Sequence, residues 1–153
     1  MKLAEALTIR ADFQKDLASL KARILNNAQT KEGGNPSESP RELLDRVNAV
    51  AHDLQTLIRR INRTNAATEI VPGITIADAL AVRETLKLRH SIFSKLADAA
   101  TISYSYYHGD TQLQLKGTVE VSDVRKEANA IAQEFRAYDM RIQEKNWQVD
   151  LLK

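Results

Sequence analysis

Aliphatic residues recur along most of this chain in alternating steps of three and four. Leu3, Ala6, Arg10, Phe13, Leu17, Leu20, Ile24 and Asn27 form the first such series. That spacing lines one side of a helix and matches a coiled-coil seam. It predicts a helix over residues 2–27 whose seam is interrupted by Arg10 and ends at Asn27. Leu43, Val47, Val50, Leu54, Leu57 and Ile61 repeat the rhythm and predict a second helix over residues 40–66. Its start is marked locally. Ser39 is placed to cap free amides, Pro40 fits the first helical position, and Glu42 suits a capping box. Between the two helices lies Lys31-Glu32-Gly33-Gly34-Asn35-Pro36-Ser37, polar and without periodicity, which reads as a flexible surface loop. Two rods of similar length joined by one loop predict an antiparallel hairpin.

The second half repeats this plan with differences. Val71-Pro72-Gly73-Ile74 predicts a type II turn inside a very short β-ribbon. Thr75 and Asp78 then suit the start of a third helix over residues 76–100. Its apolar residues do not form one stripe. Ala79, Val82, Leu86, Phe93 and Ala97 mark one side, while Leu88, Ile92, Leu96 and Ala99 mark an adjoining side. So wide an apolar arc predicts contact with more than one neighbour. From Ile102 the period changes to two. Ile102, Tyr104 and Tyr106 alternate with serines, and Leu113 and Leu115 with polar residues. Val119 and Val121 continue the pattern after Gly117. A His108-Gly109-Asp110 break between the runs predicts a β-hairpin around residues 102–121. A fourth helix over residues 123–146, capped by Ser122, carries Val124, Ala128, Ile131, Phe135, Tyr138 and Ile142. Trp147 beyond it is placed to anchor the tail. The expected fold is mainly α, a single domain over 1–153. Long antiparallel helical hairpins form a four-helix, coiled-coil-like bundle with a small β-hairpin insertion.

Composition narrows the function classes. A hydrophobic fraction of 43% excludes disorder as the default for these 153 residues. The absence of cysteine excludes disulfides, thiolate metal sites and cysteine nucleophiles. The opening residues lack the apolar core of a secretory signal, and no apolar run approaches the ~18 residues that span a bilayer. These features predict a cytoplasmic protein without a membrane role. A formal charge of +2 is close to balance and implies no polyanion partner by itself.

Candidate chemistry is sparse. His52, His90 and His108 are not spaced as metal ligands, and no G-x-S-x-G, P-loop or dinucleotide pattern occurs. No cofactor, metal or catalytic residue is expected. The densest polar signal is Arg59, Arg60, Asn62, Arg63 and Asn65, near the end of the second helix. Arginine forks suit phosphates, so this cluster is a candidate anion or nucleic-acid contact. Its plainer role is to complement the negative end of the helix. Arg10 and Arg83 interrupt apolar stripes, where a charge needs a partner. Glu84, Glu127 and Glu134 are candidates. Two roles fit these seam arginines: a salt bridge, or one wall of a polar pocket shared with Asn62 and Asn65.

Four runs together carry a family resemblance. They are Met1-Lys2-Leu3-Ala4-Glu5-Ala6-Leu7, Arg60-Ile61-Asn62-Arg63-Thr64-Asn65, Ala77-Asp78-Ala79-Leu80 and Arg141-Ile142-Gln143-x-x-Asn146-Trp147. The chain resembles the septicolysin-like family of uncharacterised bacterial helical proteins over nearly its whole length. The resemblance implies a helical protein of similar size and brings no activity with it. The family label suggests a pore-forming cytolysin. A chain with no secretion signal, no β-rich body and no lipid-facing helix does not fit that chemistry. The expected function is therefore non-enzymatic: a self-associating helical scaffold or interaction protein. Nucleic-acid binding through residues 59–65 is the alternative, and a small-ligand pocket or enzyme the second alternative.

Overall fold

In the computed structural model, residues 1–101, 105–108 and 111–153 are described. The fold is mainly α. The described elements are α1 (Leu3–Asn26), α2 (Pro40–Ala67), β1 (Glu69–Val71), β2 (Ile74–Thr75), α3 (Ile76–Thr101), β3 (Ser105–His108), β4 (Thr111–Gln114) and α4 (Val121–Gln148). The chain divides into two compact units, Met1–Thr75 with Gln143–Lys153, and Ile76–Ile142. Among the described residues, no helix is long and apolar enough to cross a membrane.

In the first unit, α1 packs on α2. The three-and-four stripes supply the dry seam: Leu3, Ala6, Leu20, Leu43, Leu57 and Ile61 are buried. Helix α1 begins where the Glu5 carboxylate accepts the Lys2 backbone N–H at 2.7 Å. Helix α2 begins at Ser39, whose hydroxyl oxygen accepts the Glu42 N–H at 3.4 Å, with Pro40 at the first position as expected. Pro72 and Gly73 turn the β1–β2 ribbon, and Gly73 adopts φ +80° as a type II turn requires.

The polar loop between α1 and α2 is pinned at both ends rather than free. Asn27 is buried and closes α1. Its amide donates to Arg23 O at 2.9 Å. Its Oδ1 accepts Ser37 Oγ–H at 2.9 Å and Glu38 N–H at 3.0 Å. Beside it, Arg23 binds both carboxylate oxygens of Glu38 through Nε and a terminal nitrogen, the first at 3.0 Å. These hydrogen bonds hold the Glu38 carboxyl below the usual carboxylate range against desolvation, and the charges of Arg23 and Arg46 act the same way.

In the second unit, two ion pairs join α3 to α4. Arg83 meets Asp139 at 2.6 Å and Arg125 meets Asp98 at 3.2 Å. As position rises along α3 it falls along α4, so the helices are antiparallel. Ile76, Ala79, Leu86 and Ala97 of α3 are buried, as are Ala128, Ile131 and Ile142 of α4. The β-hairpin is shorter than its sequence pattern. It pairs Ser105 with Gln114 through His108 with Thr111, while the expected Ile102, Tyr104, Gly109 and Asp110 positions lie outside the described residues. Residues 115–120 are not strand. Gly117 instead lies against Ala100, where a Cβ would come within 2.7 Å of the carbonyl oxygen. Helix α4 starts at Val121, ahead of the expected Ser122 cap. Glu120 O already accepts the N–H groups of Asp123 and Val124, at 3.2 Å each. Ser122 Oγ donates to the Glu120 carboxylate at 3.1 Å.

Two outcomes test the loop anchoring. Asn27→Ala removes a buried hub and is expected to lower unfolding free energy in urea by about 1–3 kcal/mol, the cost of stranding buried polar groups. Because the folded Glu38 pKa is depressed, its stabilisation is present above the ordinary carboxylate range and lost as pH falls through the folded value. Glu38→Gln should therefore melt below wild type at pH 7, with the gap closing on acidification. The melting temperatures of the two proteins across pH 2–7 check this.

Candidate functional site

The last turns of α2 carry the arginine cluster, and helical spacing decides what each member does. Arg63 and Thr64 lie three and four residues after Arg60, on the same side of the helix as it. That face meets residues 149–153, which follow α4 and form a single antiparallel bridge, Asp150 with Lys2. Arg60 Nε donates to Leu152 O at 2.9 Å, and Arg63 donates to Lys153 O at 3.2 Å. Thr64 is fully buried. Its hydroxyl donates to Arg60 O at 2.8 Å and accepts Leu152 N–H at 3.0 Å. The start of the chain closes the other side. Leu3 N–H donates to Val149 O and Leu151 N–H donates to Met1 O, both at 2.9 Å. Lys2 adds a bond to Gln148 O at 3.0 Å and an ion pair with Asp150 at 3.1 Å.

The predicted cluster is thus divided. Arg60 and Arg63 come together on the backbone of the strap. Arg59 and Asn62 are exposed, and Asn65 is half-buried. The arginines stand out in the sequence and their acceptors do not, because backbone carbonyls have no side-chain signal. Thr64 and Leu151, which no motif marks, are both buried here. Trp147, expected as the tail's anchor, is 64% exposed and lies within α4, while its neighbour Asn146 is buried.

The seam arginines differ from each other. Arg83 is spent on Asp139 rather than on Glu84, Glu127 or Glu134. Arg10, in the first unit, has a buried Nε with no acceptor among the described residues. His90 lies 3.4 Å from Ser94 Oγ, one turn along α3, and His52 is exposed. Among the described residues, no three His, Cys, Asp or Glu side chains converge to hold a metal ion.

A second feature is apolar. The two rows of α3 separate cleanly. On one, Leu86 and Ala97 are buried and Phe93 is half-buried. On the other, Leu88, Ile92 and Leu96 are 57%, 66% and 43% exposed, and Ala99 is exposed. At ~100° per residue the rows stand about 120° apart round the helix. The first row is withdrawn from water and the second is left in it.

Comparison with known proteins gives kinship without activity. The model of a family of unknown function, DUF6847, matches residues 10–151. The crystal structure of a functionally unknown conserved protein from Corynebacterium diphtheriae is similar throughout. It has 36% sequence identity and a TM-score of 0.90, with 99% of each chain covered. No curated protein matches the chain.

Thr64→Val keeps the side-chain volume and removes the acceptor for Leu152. It is expected to speed amide hydrogen exchange at Leu152 roughly fivefold, for a bond worth ~1 kcal/mol. Amide exchange followed by NMR checks this, with β1 and β2 amides as unaffected controls.

Proposed function

The chain belongs to this family of unknown function, and from its surface we propose a non-enzymatic helical protein that assembles with a second copy of itself. The contact is the uncovered row of α3. Leu88, Ile92 and Leu96 are spaced by four, and rows of this spacing are the ridges by which helices cross and interlock. A row of that kind is complementary to a second copy of itself across a two-fold axis, the usual symmetry of homodimers. Three large aliphatic side chains on one row also form a patch rather than scattered exposure. That single observation carries the reading.

The nucleic-acid alternative has less support. Two of the three guanidinium groups it needs already bind the carbonyls of Leu152 and Lys153, which leaves Arg59 without a continuing basic stripe. The polar-pocket alternative loses Arg83, which is engaged by Asp139.

Size-exclusion chromatography with light scattering tests the proposal. Wild type is expected to run as a dimer at tens of micromolar. Ile92→Glu is expected to run as a monomer of unchanged helicity, because a carboxylate in a dry contact weakens it by at least about a hundredfold. A monomeric wild type, or a variant that dimerises as well as wild type, would contradict it.

A further inference from the structure

The strap of residues 149–153 is held as a peptide would be. Its partners on α2 and at the chain start read its backbone: Val149 O, Leu151 N–H, Leu152 N–H, Leu152 O and Lys153 O each have a partner. Both polar backbone groups of Leu152 are taken by residues one turn apart on α2. The Thr64 hydroxyl proton is committed to Arg60 O, so its oxygen is left to accept an incoming N–H. Arg60 Nε, a donor with no acceptor capacity, takes the carbonyl of the same residue. Only one strap side chain is buried, Leu151 at 8% exposure. Asp150 pairs with Lys2 yet stays 73% exposed. Backbone hydrogen bonds with a pocket for one side chain are the means by which proteins bind extended peptides.

We infer that the backbone of residues 1–3 and the side chains of Arg60, Arg63 and Thr64 form a peptide-binding groove, with the strap as its resident ligand. The ligand class is an extended segment with an aliphatic anchor preceded by an acidic residue. A tethered ligand acts at an effective concentration near the millimolar range. A peptide in trans therefore enters when the strap is shortened or its anchor weakened, and the strap acts as a gate. This groove lies in the first unit and does not depend on the α3 row.

Fluorescence anisotropy with a labelled peptide of residues 146–153 tests the inference. A chain ending at Gln148 is expected to bind the peptide at least tenfold more tightly than the full chain does. A peptide carrying Leu151→Ala should bind this shortened chain at least tenfold more weakly, and adding Arg60→Ala with Thr64→Val to the shortened chain should abolish binding. If the shortened chain does not fold, the full chain with Leu151→Ala carries the test, and it should bind the unaltered peptide more tightly than wild type. A folded test protein that binds no better than wild type would overturn the inference. So would binding indifferent to the Leu151 anchor.

Discussion

A pair of packed helices removes water only from the sides turned toward each other. Every aliphatic row beyond the first must find another cover or stay wet. Helix α3 carries two such rows about 120° apart, and one of them is buried while the other is exposed. The ion pairs Arg83–Asp139 and Arg125–Asp98 join α3 to α4, and all four side chains keep part of their surface in water. Leu86 and Ala97 are dry, while Leu88, Ile92 and Leu96 are not. A side chain such as Ile92 stabilises by about 1.5–3 kcal/mol when fully buried, and that gain is unused in the isolated chain.

The first unit meets the same constraint by other means. Its two helices form a seam along Leu20, Leu43, Leu57 and Ile61. Its margins are closed by hydrogen bonding instead of further aliphatic packing. At one end Asn27 and the Arg23–Glu38 pair fasten the loop. The strap that follows α4 joins the chain start to the end of α2 through backbone bonds, with Leu151 as the one buried side chain. Backbone groups taken from water need such partners, and here side chains of α2 supply them.

What could be read in advance follows the range of the forces involved. The start of α2 was legible because Ser39 and Pro40 act on amides within one turn. The type II turn at Gly73 was legible for the same reason. Both rows of α3 were visible as a pattern. Which row stays uncovered is set by tertiary packing that the pattern does not encode, and Arg83 pairs with Asp139 rather than with the glutamates that seemed equally placed. The helical start at Val121 was hidden because Val119 and Val121 continue an alternation that ends, in the fold, near Gln114. Arg60 and Arg63 stood out as charges, yet their acceptors are carbonyls some 90 residues away along the chain. No residue type encodes such an acceptor. Asn27 looked like the end of a stripe and proved to be the buried hub of a loop.

The Leu88–Ile92–Leu96 row is wet in the single chain, and the proposed self-association requires it to be dry in the assembled protein. Methyl NMR on the wild-type protein, with a water-soluble paramagnetic agent added, observes this directly. The Ile92 and Leu88 methyl signals should be as protected as those of Leu86 at concentrations where copies meet, and should broaden on dilution. Ile92 and Leu88 methyls that broaden as strongly as the exposed Met140 methyl, at every concentration, would contradict it.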